Sequence, residues 1–374
     1  MAEHAARDRI AYVDLARQNA PLEAELLAAV SRVLAHGQLV LGPEVAELEA
    51  RLAARLGIEH VLGVANGTDA LELALRALEI GPGDEVITVS HSFVSTALAI
   101  RLVGASPVFV DVDERTMLMD ATLLEAALTP RTCAVMPVHL NGIACDMEPI
   151  AAFCDRHRLH LVEDCAQALG ATCAGRAVGG FGVGCFSLHP LKPLAACGDA
   201  GLVTTGDDAL AERLHRLRNL GLVDRDHCEL VGMNSRLDTL QAALLLVKEP
   251  QLDGWIEARR ERARRYRRAL GGRLTLPPEE AENEIATYSA FVVRHPCRDR
   301  LRELLAERGV DARPHYPLAI HQQAAFADLP PADLPVTERV VASILSLPVS
   351  PELGLDEQER VIVAALESLD EVDR

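Results

Sequence analysis

The chain has 374 residues, of which 49% are hydrophobic and 25% are charged, a balance typical of a globular protein with sizeable buried cores. Its length predicts one large domain with a smaller companion. The formal net charge of −18 repels phosphate backbones and anionic membrane surfaces. We therefore expect neither nucleic acid nor a membrane as a main partner, although a local basic pocket could still hold a small phosphate.

Targeting and redox features point to the cytoplasm. The start, MAEHAARDRI, lacks an apolar stretch after a basic region, and no segment approaches about eighteen uninterrupted apolar residues. The nine cysteines are scattered without a Cys-x-x-Cys pair. This pattern predicts buried reduced thiols rather than disulfides or a metal site.

Short β-rich runs alternate with helical patterns between about residues 60 and 205. The runs are VLGVA at 61–65, EVITV at 85–89, PVFV at 107–110, CAVMPV at 133–138, LHLVE at 159–163, VGCFS at 183–187 and GLVTT from residue 201. The alternation predicts an α/β fold in which a mainly parallel sheet is covered by helices on both faces. Helical spacing of apolar residues after the first run predicts a helix with one buried face, which carries Leu71, Ala74, Leu75 and Leu78.

The composition changes after Lys248, where Pro250 is followed by an arginine-rich helical pattern and a loop at 277–278 that contains two prolines. We place the domain boundary there, with a large domain at 1–248, which includes the N-terminal segment, and a small α+β domain at 249–374. The arginines of 258–268 could form a phosphate-binding patch. A solvated helix face is the favoured interpretation of such a run.

Polar clusters that follow strands are candidate ligand sites, because open parallel sheets bind ligands at the carboxyl ends of their strands. Gly67, Thr68 and Asp69 follow the first run and precede the helix, where backbone amides and a hydroxyl suit a phosphate. An ordinary turn and helix cap would use the same residues. A second cluster, Glu163–Gln167, ends an apolar run in two carboxylates. These could hold a protonated ring nitrogen, bind a metal or cap a helix, and the cap is favoured on this evidence alone.

The third cluster places Lys192 in a small apolar loop between two buried strand runs. Burying an ammonium group is costly unless it is paired or neutralised. A neutral amine is a nucleophile, and a Schiff base with a cofactor aldehyde is one way to keep the lysine neutral. A structural salt bridge explains the position equally well on this fact alone.

Motifs along nearly the whole chain occur in one order: YVDLARQN, GQLVLGPEVAELEARLA, ANGTDALELALRAL, GPGDEVITVSHSFVSTALAI, PVHLNGIACDM, EDCAQALGA, CFSLHPLK, GDAGLVTT, GMNSRLDTLQAALL and HYPLAIHQQ. Together they resemble the DegT/DnrJ/EryC1/StrS family of sugar aminotransferases. The resemblance implies the transferase fold type I that depends on pyridoxal 5'-phosphate. It thus implies a large domain with a seven-stranded mainly parallel sheet, a small C-terminal α+β domain and pyridoxal phosphate as the cofactor.

The resemblance also implies roles for residues around the cofactor ring. Lys192 carries the cofactor as a Schiff base and, once released, moves the proton during amino transfer. Asp164 keeps the pyridine nitrogen protonated, which makes the ring an electron sink. Gln167 lies by the 3-oxygen of the ring, and Phe93 stacks on its face.

The phosphate of the cofactor is expected to bind at the first cluster and across a subunit boundary. By resemblance, the amides of Gly67 and Thr68 and the hydroxyl of Ser187 hold the phosphate. Asn234 resembles a residue that reaches the phosphate of the neighbouring subunit. The resemblance therefore implies a homodimer with shared active sites.

The substrate side is less well defined by the motifs. The resemblance implies a keto sugar, expected to be linked to a nucleotide, and L-glutamate as the amino donor. Arg236 and His321 are candidate substrate-binding residues, although an isolated surface histidine explains His321 as well. Arg218, Arg236 and the arginines of 258–268 are the candidates for holding a diphosphate. Three positions depart from the usual family pattern, namely Asn141, Pro193 and Leu220, and they leave the sugar and the aminated carbon open.

Three other functions compete with this one. A sugar dehydratase of the same family would have a histidine in place of the lysine, and Lys192 argues against it. A regulatory protein that binds the cofactor without turnover would not need Lys192, Asp164 and Gln167 together. A dinucleotide-dependent oxidoreductase would need a Gly-x-Gly-x-x-Gly turn after the first strand, which ANGTDAL does not supply.

Overall fold

The computed structural model describes residues 9–374. Residues 1–8, which belong to the segment expected to lack a targeting signal, lie outside the described residues. Eleven strands are present in this range. In chain order they are β1 His60–Val64, β2 Glu85–Val89, β3 Ser106–Val110, β4 Thr132–Met136, β5 His160–Asp164, β6 Thr172–Cys173, β7 Arg176–Ala177, β8 Val183–Ser187, β9 Gly201–Thr205, β10 Phe291–Arg294 and β11 Ile344–Leu347.

Helices surround these strands. The α-helices are Leu15–Asn19, Glu23–His36, Pro43–Leu56, Gly67–Ala77, Ser95–Leu102, Leu124–Ala127, Met147–His157, Asp208–Leu217, Thr239–Lys248, Leu252–Leu270, Arg298–Glu307, Pro335–Ser343 and Leu355–Val372. Within residues 9–374, none of the helices combines the length and the apolar character that crossing a bilayer requires.

Seven of the strands form one sheet in the order β1-β9-β8-β5-β4-β2-β3. The neighbours from β8 to β3 all pair in parallel, whereas β9 is antiparallel to both β1 and β8. Strand β1 therefore points the same way as β8, and six strands share one direction. The predicted mainly parallel seven-stranded sheet is confirmed, and each of the seven predicted runs contributes one of its strands.

Both faces of the sheet are buried, because successive side chains of a strand point to opposite faces and consecutive residues of β1, β2 and β9 are buried. Leu62 and Val64 of β1 face a core that includes Leu71 and Leu75 of the helix Gly67–Ala77. Val61 faces the opposite core, beneath the helix Pro43–Leu56. The predicted helix after β1 is thus present, but it is buried on nearly every side rather than on one face. Helices cover both faces of the sheet.

The C-terminal part of the chain has its own two-stranded antiparallel sheet of β10 and β11. Strand β11 was not among the predicted strands. The predicted run 286–294 is a strand only from Phe291, because the amide of Thr287 donates to the carbonyl of Gly142 instead of to a neighbouring strand.

The helix Leu252–Leu270 joins the two cores. Its start packs into a core of the large sheet through Leu252, whereas Tyr266 near its end packs with β10 and β11. Ile10 also belongs to the C-terminal core and pairs with Val310. The division at residue 248 therefore remains a prediction.

The predicted solvated face of arginines is correct only in part, because Arg264 and Arg268 are exposed whereas the other arginines of the helix are buried or half-buried. Arg260 forms an ion pair with Glu280 at 2.6 Å. Arg262 donates to the carbonyl of Leu353 at 3.0 Å, and Arg267 donates to the carbonyl of Pro278 at 2.5 Å. These guanidinium groups hold the helix against distant segments whose proximity the local sequence does not reveal.

Candidate active site

A cavity of about 490 Å³ opens at the carboxyl edge of the sheet. Residues that follow β1, β2, β4, β5 and β8 line it, as expected where parallel strands end together. The predicted residues that the structure brings together in its lining are Gly67, Thr68, Phe93, Asp164, Gln167, Ser187 and Lys192. Residues from three separate polar clusters thus share one site.

The end of the cavity near β1 is shaped for a small anion. Asn66 caps the helix Gly67–Ala77, since its Oδ1 accepts the amide of Asp69 at 2.9 Å. The first amides of a helix have no carbonyl partner within it and attract anions. A Cβ at Gly67 would lie only 2.7 Å from the Cβ of Ser187, so glycine is what allows the strand and the helix start to approach. The Thr68 hydroxyl donates to Ser95 Oγ at 2.8 Å.

Asp164, the last residue of β5, supplies a buried carboxylate to the cavity floor. Its Oδ2 accepts the hydroxyl of Thr96 at 2.7 Å, and its Oδ1 accepts the amide of Ala166 at 3.1 Å. Burial raises the pKa of Asp164 above its usual value, while these hydrogen bonds and the charge of Lys192 oppose the rise. The carboxylate is therefore held in one orientation and faces the basic group of the site.

Glu163, its neighbour in the motif, points to the other side of the strand. Its carboxylate accepts the amides of Gly179 and Phe181 at 2.8 and 2.7 Å. It also accepts a hydrogen bond from Nε2 of His139 at 3.1 Å. Nε2 is the donor because Nδ1 of the same ring accepts the amide of Cys145. His139, Glu163 and Cys165 are close enough to hold a metal ion, but these hydrogen bonds already occupy the imidazole and the carboxylate. The two adjacent carboxylates therefore have separate roles, and that of Glu163 is structural.

Lys192 lies in the loop between β8 and β9 and reaches the same cavity. Burial lowers the pKa of its amine below the usual 10.5, and the charge of Asp164 only partly opposes this effect. A lowered pKa increases the neutral, nucleophilic fraction of the amine. This environment favours the nucleophile over the salt bridge that the sequence left open.

Gln167 and Phe93 are held by an aromatic residue from far along the chain. Gln167 accepts the amide of Asn141 at 2.8 Å and donates to the hydroxyl of Tyr316 at 3.0 Å. The Tyr316 ring lies 5.4 Å from the ring of Phe93, which is 50% exposed at the cavity wall. Asn141 has a φ of 62°, a left-handed conformation in which asparagine is enriched among residues other than glycine.

Several cavity residues were not singled out from the sequence. Thr96, Tyr316, His315 and Tyr12 all line the cavity. Thr96 lies one turn beyond Phe93 in the same motif, a signal that could have identified it. Tyr12 and Tyr316 also lie within quoted motifs, but their place at the site depends on tertiary contacts such as the pairing of Ile10 with Val310.

Three predicted residues lie outside the lining of this cavity in the single chain. Asn234 is exposed, and Arg236 donates to Oδ1 of Asn219 at 2.9 Å. His321 contacts the hydroxyl of Ser90 through Nδ1 at 2.7 Å. Their roles as contacts to the cofactor or the substrate remain predictions.

Arg218, a candidate for binding a diphosphate, instead binds other groups of the large domain. The buried guanidinium is ion-paired with Glu49 and donates to the carbonyl of Gly63 at 2.8 Å. A charge that already has buried partners would leave them unsatisfied if it moved to a ligand. Arg218 is therefore a structural residue.

Comparison with known proteins gives matches over nearly the full length. Residues 21–366 match the DegT/DnrJ/EryC1/StrS aminotransferase family. The UDP-N-acetyl-3-dehydro-α-D-glucosamine 3-aminotransferase of Acidithiobacillus ferrooxidans is 43% identical over 94% of this chain and 96% of its own. The dTDP-3-amino-3,4,6-trideoxy-α-D-glucose transaminase of Streptomyces venezuelae is 43% identical, and the match covers 100% of both chains.

Solved structures agree with these relatives. The crystal structure of S. venezuelae DesV in complex with a ketimine intermediate has a TM-score of 0.94 and 44% identity. The match covers 97% of this chain and 99% of DesV. The predicted fold type I is therefore confirmed.

The electrostatic coupling between Asp164 and Lys192 can be measured in the cofactor-free protein. Asp164→Asn removes the charge that raises the pKa of Lys192, so this pKa should fall further below 10.5. At a fixed pH below that value the neutral amine fraction increases, and acetylation of Lys192 by acetic anhydride should become faster. Mass spectrometry of the Lys192 peptide gives the rate, with the α-amino group as internal reference. Asp253→Asn, at an exposed carboxylate, is the matched control. A slower reaction in Asp164→Asn would contradict the assigned coupling.

Proposed function

Because the chain belongs to the DegT/DnrJ/EryC1/StrS aminotransferase family, we propose that it transfers an amino group from L-glutamate to a keto sugar carried on a nucleoside diphosphate. Family membership confirms the resemblance drawn from the motifs and the enzyme class. It also confirms pyridoxal phosphate as the cofactor. The observation that carries the proposal is the meeting of Lys192, Asp164 and an anion-binding helix start in one cavity.

The residues of the site fit the cofactor. The contact between Gly67 and Ser187 leaves helix amides and a hydroxyl at one end for a phosphate. Asp164 at the floor suits a protonated pyridine nitrogen, and the exposed ring of Phe93 offers a face for stacking. When bound, pyridoxal phosphate supplies an aldehyde and a ring that accepts electrons.

Lys192, Asp164 and Gln167 have separate proposed roles in amino transfer. Lys192 would hold the cofactor through its ε-amine, and the free ε-amine would accept and return a proton during amino transfer. Its lowered pKa favours both tasks, because the neutral amine is both nucleophile and base. Asp164 would keep the ring nitrogen protonated, and Gln167, fixed between Asn141 and Tyr316, would lie by the 3-oxygen of the ring.

The remaining cavity wall is the proposed sugar site. It includes Tyr12, His315 and Tyr316, whose polar atoms can meet sugar hydroxyls. The two relatives described above are named for amination of UDP- and dTDP-linked sugars, which supports a nucleotide-linked acceptor here. Within the described residues no arginine lines the cavity, so the cation for the diphosphate is proposed to come from beyond its single-chain lining.

A homodimer with shared sites would complete the cavity. Asn234 is exposed in the single chain, and Val231 three residues earlier is 90% exposed. An exposed apolar side chain beside the residue proposed to reach a second phosphate supports burial of this loop by another subunit. Arg236 is the basic residue nearest to Asn234 in the sequence, so it is the proposed cation for the neighbouring site.

The competing functions are less well supported. Lys192 occupies the position that a histidine takes in the related dehydratases, and it reaches the cavity floor near Asp164. A regulatory protein without turnover would not require Lys192, Asp164 and Gln167 in one cavity. The prediction of buried thiols is correct only in part, because Cys197, Cys228 and Cys297 are exposed and Cys133 is half-buried, while the other five cysteines are buried. Free thiols fit a reducing compartment, so we propose the cytoplasm as the location.

The function is tested with a panel of keto sugars and L-glutamate followed by mass spectrometry. We expect amination of a nucleotide-linked keto hexose, with the free keto sugar slower by at least about tenfold because it lacks charge-assisted bonds to the diphosphate. Added salt should raise the apparent KM of the nucleotide-linked form. Lys192→Ala should abolish the reaction. Equal efficiency on both sugars would overturn the nucleotide claim alone, whereas amination of neither would overturn the proposed function.

Shared sites are tested by mixing two inactive variants. Lys192→Ala and Asn234→Ala chains should each lose activity as homodimers. A mixed dimer has one site with both residues intact, so activity should return in proportion to the mixed dimers formed. Native mass spectrometry measures their fraction, and mixing each variant with itself is the control. Full subunit exchange without recovery would contradict the assignment of Asn234 to the neighbouring site.

A further inference from the structure

Lys248 is the second of only two lysines in the chain, among 37 lysines and arginines in total. It ends the helix Thr239–Lys248 and is only 2% exposed. A buried ammonium is costly unless its donors are used. In a chain that otherwise uses arginine, a fully buried lysine indicates a need for its compact ammonium group.

The contacts of Lys248 lead to the active site. Its Nζ donates to the carbonyl of Ala195 at 2.9 Å and lies 3.6 Å from Sγ of Cys197. Both belong to residues 193–199, which directly follow Lys192 and which we call the lysine loop. The second lysine of the chain therefore holds the loop that directly follows the first.

Gln241 contacts the same loop from the same helix. It precedes Lys248 by seven residues, which places both side chains on one helix face. Its Oε1 accepts the amide of Cys197 at 2.9 Å, and its Nε2 donates to the carbonyl of Cys197 at 3.3 Å. Two side chains of one helix thus bind three backbone groups of the loop.

The geometry of the lysine loop depends on these contacts. The amide of Lys192 donates to the carbonyl of His189, and the amide of Ala196 donates to the carbonyl of Leu188, each at 2.8 Å. These two bonds turn the chain back toward β8. Lys192 before the loop and Asp199 at its end both line the cavity, so a shift of Ala195 would be passed to the site.

We propose that Lys248, assisted by Gln241, is a positioning residue for amino transfer. Its ammonium fixes the carbonyl of Ala195 and so keeps the ε-amine of Lys192 buried opposite Asp164. The inference rests on the proposed attachment of the cofactor to Lys192. Misplacement of a reacting group by about 1 Å can cost about a hundredfold in rate.

The test compares Lys248→Met, which keeps the length of the side chain without its charge and donors, with Gln241→Ala in the cofactor-loaded enzyme. For Lys248→Met we expect kcat to fall about tenfold or more while KM for each substrate changes less than about threefold. The pH midpoint of the absorbance change of the bound cofactor should also shift, since the burial of Lys192 changes. Gln241→Ala should show a smaller fall in kcat and a smaller shift of the pH midpoint. Gln251→Met, at an exposed position in the next turn, is the matched control.

An unchanged kcat and pH midpoint in Lys248→Met would overturn the proposal, even if the melting temperature falls, because only a structural role would remain. If Lys248→Met does not fold, Gln241→Ala decides by the same two readouts, and unchanged values there would also overturn it. The absorbance titration needs no sugar. A failure of the proposed substrate therefore removes the kcat and KM readouts but leaves the pH midpoint to decide the proposal.

Discussion

Two adjacent carboxylates end the central strand β5, and the pleat of the strand sends them to opposite sides. Glu163 accepts backbone amides of the turn before β8, which fixes how β5 and β8 lie together. Asp164 enters the cavity between those strands and the helix that carries Thr96. Because a buried carboxylate is tolerated only when its oxygens are satisfied, each one constrains the segments around it. The position of the site follows from that constraint.

Lys192 meets Asp164 in the same desolvated space, and burial acts on the two groups in opposite directions. It raises the pKa of the acid and lowers that of the amine, while each charge favours the charged form of the other. The result is a site that can supply both a neutral amine and a carboxylate held in place. In the proposed function transamination needs both, since Lys192 would attach the cofactor and Asp164 would keep its ring nitrogen protonated.

Much of the fold could be predicted because period-two and helical patterns are local. The seven strand runs and the helix after β1 depend on residues that are near one another in sequence. Strand β11 and the ion pairs of Arg260 depend on partners far along the chain, and no local pattern indicates them. The arginine-rich helix was predicted correctly only in part for the same reason, because a row of charges does not indicate which of them will meet carbonyl groups of other segments.

The candidate site shows the same division between local and distant information. Gly67, Asp164, Gln167 and Lys192 were found from motifs that follow strands, and the fold brings them together. Tyr316 supports Gln167 from a distance of 149 residues, so its role appears only once the chain is folded. Asn234 and Arg236 could not be placed at the site of one chain, because the proposed site needs a second subunit.

The proposed amino transfer depends on attachment of the cofactor to Lys192. The composition of the chain makes this attachment simple to measure. Only Lys192 and Lys248 offer ε-amines, and Lys248 is buried against the carbonyl of Ala195. Borohydride reduction of the protein loaded with pyridoxal phosphate, followed by peptide mass spectrometry, locates the bond. We expect a stable adduct on the peptide that contains Lys192 and on no other peptide. An adduct on Lys248, or none on Lys192, would contradict it.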